Sequence, residues 1–78
     1  MTRTQVGERI QEIRMAKNLT RDQLANKSGL SSKFLYEIET GRKGLSVDSL
    51  FKIASGLDCN SEDILSDNSD LDLENTEP

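Results

Sequence analysis

The stretch LSSKFLYEIETGRKGL, Leu30 to Leu45, holds the side chains with the most to offer chemically. If it is helical from Ser32 to Thr40, then Ser32, Lys33, Tyr36 and Glu37 share one face, opposite Leu35 and Ile38. That face carries a hydroxyl, an ammonium, a phenol and a carboxylate, groups that meet another polar surface through hydrogen bonds and charge. It is not the equipment of an active site. The chain has no histidine and one cysteine, and its carboxylates are scattered, so no nucleophile and base pair presents itself and no catalytic residue is assigned. The same counts exclude disulfide frameworks and thiol or imidazole metal clusters, so neither a metal nor a cofactor is expected.

Holding such a face in place requires a scaffold, and one local signature supplies it four times. An apolar residue, then Ser, Thr or Asn, then three residues and another apolar residue recur. The copies are Leu19-Thr20 to Leu24, Leu30-Ser31 to Leu35, Leu45-Ser46 to Leu50, and Cys59-Asn60 to Ile64. In each, the polar residue can cap the free N–H groups of a first helical turn while its apolar neighbour staples onto the fourth helical position. Thr20 and Gln23 add a capping box. Ahead of these, Val6, Ile10 and Ile13 recur at helical spacing. The pattern predicts helices over 4–17, 21–28, 32–40, 47–57 and 61–66. Asn18, Gly29, Gly41 and Asp58 are placed to end the first four in the left-handed conformation. Leu24, Ala25, Leu35, Ile38, Val47, Leu50, Phe51, Ile53, Ala54, Leu57, Ile64 and Leu65 are expected to close a core with the first helix. The predicted fold is all-α, a compact five-helix bundle.

At 78 residues and 33% hydrophobic content, the chain suffices for one small domain. Its net charge of -4 conceals a split. Residues 1–57 hold all ten Lys and Arg against six acids, a balance of +4, whereas residues 58–78 hold eight acids and no base. Residues 1–66 are therefore read as the domain and 67–78 as an acidic, disordered tail. No apolar run approaches the length of a membrane span, and the start, MTRTQVGERIQ, lacks the apolar stretch of a secretion signal. A soluble, cytoplasmic protein with no membrane partner is expected.

Between the second and third predicted helices lies the short turn Ser28-Gly29-Leu30-Ser31, the spacing of a helix-turn-helix. From Val6 to Leu65 the chain resembles the Xre family of helix-turn-helix regulators, which includes the lambdoid phage Cro and CI repressors. The resemblance is carried by VGERIQEIRMAKNLTRDQLANKSGLS, YEIETG, SVDSLFKIASGL and EDIL, some sixty residues in one register. It implies a lambda-repressor-like DNA-binding domain. Such domains act as homodimers on a two-fold symmetric double-stranded DNA operator, to repress or activate transcription.

The resemblance makes Ser32 to Thr40 the recognition helix, with Ser32, Lys33, Tyr36 and Glu37 as the base-reading set. Lys33 can donate to guanine O6 and N7 or neutralise a phosphate, and Ser32 can donate or accept. The Tyr36 ring could lie on a thymine methyl, or its hydroxyl could reach a phosphate. Glu37 suits a donor such as cytosine N4 or an ion pair with Lys33 one turn earlier, the pair being the expectation. By family position, Thr20, Arg21 and Gln23 at the start of the second helix are phosphate-binding residues. So are Thr40, Arg42, Lys43 and Gly44 after the third. The family further implies a structural ion pair between Arg14 and Glu39. Dimer contacts are expected at the fifth helix and nearby, at Leu57, Cys59, Ile64 and Leu65.

Asp58 stands where the family usually has glycine, and the loop GRKGLS is short and lacks the common proline. A repressor or operon controller is the expected function, with RNA polymerase or a cognate toxin as further partners. The alternative is a protein-binding module, such as an antitoxin or anti-repressor, in which DNA contact is secondary.

Overall fold

The computed structural model describes residues 1–65, so the expectations for Ser66 and the acidic tail lie outside the described residues. Five helices follow one another: α1 (Arg3–Ala16), α2 (Arg21–Ser28), α3 (Ser32–Glu39), α4 (Val47–Leu57) and α5 (Ser61–Leu65). Helix α2 packs on α3 and α4, while α1 spans α3 and α5, so the helix-turn-helix pair is supported from both sides.

The side chains of Thr20, Ser31 and Ser46 accept from the N–H of Gln23, Phe34 and Ser49, capping α2, α3 and α4. Two features of the helix starts differ from the sequence expectation. Helix α5 is held by Asp63, whose carboxylate accepts from the Asn60 N–H at 3.0 Å. Helix α1 begins one residue early because Thr2 and Gln5 form a capping box, a Thr-x-x-Gln signature identical in kind to that of Thr20 and Gln23.

Four helices end alike. Asn18, Gly29, Gly41 and Asp58 all have positive φ. One residue beyond each, an N–H reaches back across the last turn: Leu19 to Arg14, Leu30 to Ala25, Arg42 to Glu37 and Cys59 to Ala54. This closes the carbonyls that a helix end leaves open. Asp58 adopts φ 56° in glycine's usual place.

The core comprises Ile10, Leu24, Ala25, Leu35, Ile38, Ile53, Ala54, Leu57 and Ile64. Of the expected members, Leu50 is partly buried and packs against this core, while three others lie on the surface. Val47, Phe51 and Leu65 are 70, 59 and 47% exposed. Helix α4 turns Ser49, Ile53, Ala54 and Leu57 inward, and Phe51 lies two residues, about 200°, from both Ser49 and Ile53. Phe51 and Val47, one turn apart, therefore share the outward face.

Two glycines permit close helix approach. A Cβ on Gly7 would strike the carbonyls of Ile38 and Glu39, and one on Gly56 would strike Ser28 Oγ. The first contact seats α1 on the end of α3, and the second seats α4 on α2.

Candidate nucleic-acid interface

Helix α3 is amphipathic in a way that fixes its orientation. Leu35, Ile38 and Glu39 are buried, while Ser32, Lys33 and Tyr36 are exposed and Glu37 is half-buried. The buried glutamate anchors the helix. Arg14 Nε lies 2.8 Å from Glu39 Oε2 and its Nη2 lies 3.2 Å from Oε1, a two-pronged pair, while Arg14 Nη1 donates to the Leu19 carbonyl at 2.9 Å. The Glu39 side chain is 1% exposed, so these donors replace the water it has lost.

Arg21 also reaches this carboxylate, with Nε 3.1 Å from Glu39 Oε1. Its side chain is one-third exposed and its guanidinium carbon lies 5.0 Å from the centroid of Tyr36. Arg21 is thus tied to the structural pair as well as facing solvent, a double attachment that family position did not disclose. Arg42, from the loop after α3, lies over the same ring at 5.5 Å. Tyr36, Arg21 and Arg42 form one cluster.

Glu37 pairs with Lys43 at 3.6 Å and not with Lys33, which corrects the expectation from spacing. The loop folds back so that the N–H groups of both Arg42 and Lys43 donate to the Glu37 carbonyl, which brings Lys43 over the carboxylate. A lysine four residues before a glutamate is also the weaker orientation for a helical pair. Lys33 and Arg42 carry no ion pair among the described residues. The Lys43 ammonium lies 5.4 Å from the ring centroid of Phe34.

Ser32 Oγ donates to Asp22 Oδ1 at 2.6 Å, so its donor is directed at the start of α2 and its lone pairs are what it offers outward. Thr20 and Gln23 are exposed, but their side-chain oxygens serve the α2 capping box. Thr40 Oγ1 donates to the Tyr36 carbonyl at 2.8 Å. Gly44 leaves room for Arg3, whose Nε would lie 2.9 Å from a Cβ built there. Arg3 is an exposed cation at this rim with no ion pair among the described residues. Nothing in the local pattern marked it, since only the fold brings the first turn of α1 to the loop after α3.

The residues expected at a dimer contact separate. Leu57 and Ile64 are fully buried in this chain's own core and have no surface to share. Cys59 is half-buried, and burial, with help from Asp63, pushes its thiol pKa up. Leu65 alone of the four is exposed, and α4 adds Val47 and Phe51.

A helix pair closed by a short glycine turn, with a polar outward face and a rim of cations, defines the class of helix-turn-helix proteins. Residues 10–64 match the helix-turn-helix family model HTH_3, and the chain belongs to that family. It is 30% identical over 60 residues to the control protein C.BamHI of Bacillus amyloliquefaciens, covering 76% of this chain and 74% of that protein. Among solved structures it is similar to the restriction-modification controller C.AhdI of Aeromonas hydrophila. There the TM-score is 0.78 at 31% identity, over 80% of this chain and 94% of that one. It is similar also to the clp gene regulator ClgR of C. glutamicum, with TM-score 0.78 and 31% identity over 83 and 84% of the two chains. The family is one of transcriptional regulators and not of enzymes. No helix among the described residues is long and apolar enough to cross a membrane.

Proposed function

We propose that this protein is a sequence-specific transcriptional regulator that places α3 in the major groove of double-stranded DNA, as a homodimer on a two-fold symmetric operator. The observation that carries the reading is the outward face of α3. Its Lys33 is unpaired among the described residues, and Arg3, Arg21, Arg42 and Lys43 stand at its edges. Groove-facing hydrogen-bonding groups flanked by cations are what base readout with phosphate anchoring requires. Lys33 is the base reader with the fewest internal commitments, and Ser32 acts as an acceptor. Glu37, already paired with Lys43, keeps one face toward the groove.

A single copy presents one short helix, and a two-fold pair would present two at successive major grooves, about 34 Å apart. The exposed apolar side chains available to a second copy are Val47 and Phe51, which share the outward face of α4, and Leu65 of α5. Control of an operon is the role we assign, since a control protein, a restriction-modification controller and a gene regulator share this domain. An electrophoretic shift series with duplexes selected from a random pool tests the reading. Binding is expected to weaken steeply with salt, log K falling by about 0.9 per neutralised phosphate for each unit of log salt concentration. A protein that retards no duplex at low salt is not a DNA-binding regulator.

A further inference from the structure

The outward face of α3 contains a contact that a row of independent DNA contacts does not call for. The guanidinium groups of Arg21 and Arg42 lie over one ring, that of Tyr36, at 5.0 and 5.5 Å from its centroid. They come from different elements, one from the first turn of α2 and the other from the loop after α3. Two like charges drawn to one aromatic side chain repel each other, and arginine side-chain entropy opposes fixing either. Something must offset both costs.

For Arg21, part of the offset is the Glu39 carboxylate at 3.1 Å, itself held from the core side by Arg14. Arg42 has no carboxylate partner among the described residues. Its backbone is fixed by the 2.8 Å bond to the Glu37 carbonyl, and its guanidinium rests on the ring. The negative face of an aromatic ring attracts guanidinium groups, which also stack on it flat. The ring therefore joins two cations that the chain's path keeps on separate elements.

We propose that Tyr36 is a positioning residue, which holds Arg21 and Arg42 as one two-armed phosphate clamp and does not itself read a base. The proposal rests on the DNA-binding reading and deepens it by moving Tyr36 from the base-reading set to the phosphate-binding machinery. A ring attended by two guanidinium groups is a poor platform for a thymine methyl. Arginines ordered in advance lose less freedom when they meet phosphate. At exposed sites one cation–π contact corresponds to roughly 2- to 5-fold in an equilibrium, so loss of the ring costs roughly 5- to 20-fold in affinity per protomer. That loss falls on every sequence alike, because phosphates carry no sequence information.

The test compares the wild type with Tyr36→Ala and Tyr36→Phe on a selected operator duplex and a random duplex of equal length, with proton NMR of the free proteins. Tyr36→Ala is expected to lose roughly 5- to 20-fold on both duplexes. Tyr36→Phe, which keeps the ring, restores most of that loss. The δ-methylene protons of Arg21 and Arg42 are expected upfield in the wild type and in Tyr36→Phe, and at ordinary positions in Tyr36→Ala. A loss confined to the operator makes Tyr36 a base reader and overturns the proposal. So does Tyr36→Phe binding as weakly as Tyr36→Ala, which would assign the effect to the hydroxyl. Ordinary arginine shifts in a wild type that still binds DNA overturn the stack alone. Ring-shifted arginines in a wild type that retards neither duplex overturn the DNA reading, and the clamp with it.

Discussion

Helices α3 and α4 each turn one side to the core and one to solvent, and their outward sides are opposites. On α3 the outward residues are Ser32, Lys33, Tyr36 and Glu37, all able to hydrogen-bond. On α4 they include Val47 and Phe51, at 70 and 59% exposure, beside an ion pair of Asp48 and Lys52 at 3.2 Å. A polar face is content in water or against another polar surface. It needs only to be held at a fixed angle, which the Arg14–Glu39 pair beneath it does. A phenylalanine and a valine one turn apart gain by being covered. One molecule thus offers two outward faces suited to partners of different chemistry.

The largest effect is expected where the polar face is anchored. Glu39→Ala leaves the buried Arg14 guanidinium without its anion and frees Arg21 from its inner attachment. Removing one partner of a buried pair destabilises by about 3 to 5 kcal/mol, far more than a surface pair is worth. Thermal or urea unfolding measures it. A loss below about 1 kcal/mol would mean that the pair is solvated like a surface one, and that α3 is held by Leu35 and Ile38 alone.

On the apolar side, Phe51→Asp is expected to leave the isolated domain intact, because Phe51 is exposed within one chain. Its unfolding free energy should change by no more than about 0.5 kcal/mol. Self-association should fall by about 3 kcal/mol or more, since a two-fold contact buries the same residue twice and each phenylalanine contributes about 1.5 to 3 kcal/mol. Sedimentation equilibrium separates the two quantities. An unchanged dimerisation constant would remove α4 from the interface and leave its apolar face to a different protein.

The contrast between the two faces also explains what could be read from the sequence. Helix existence was legible because caps, staples and left-handed ends are local: Thr20, Ser31, Ser46, Gly29 and Asp58 act within a few residues of themselves. The outward side of α3 was legible because its apolar and polar residues separate cleanly. Helix α4 has apolar residues on both sides, so Phe51 and Val47 could not be told from core by periodicity. The Glu37–Lys43 pair and the Arg21–Tyr36–Arg42 cluster depend on how the loop after α3 folds back, which no spacing rule contains. Gly7 shows the same limit. Its need for a bare Cα arises from the carbonyls of Ile38 and Glu39, about thirty residues away in sequence.

The smallest and most discriminating prediction lies within the polar face, where Lys33 and Arg42 are both cations without an ion pair among the described residues. Lys33 stands on the first turn of α3, where side chains reach base edges, whereas Arg42 stands on the loop beyond its end. Lys33→Ala is expected to cost about 1 to 3 kcal/mol on the operator and to relax preference at particular positions, with little change on random DNA. Arg42→Ala is expected to weaken operator and random duplexes equally and to reduce the salt slope by about 1 per protomer. Parallel titrations of both variants on both duplexes decide it. Equal losses for Lys33→Ala on the two duplexes would make it a phosphate contact, and sequence preference would then rest on Ser32 and Glu37. Both of those side chains are already engaged within the protein, by Asp22 and Lys43. A carboxylate shared with Lys43 repels phosphate less than a bare one, so Glu37 could approach cytosine N4 at little electrostatic cost, and Lys43→Ala would then change base preference as well as affinity.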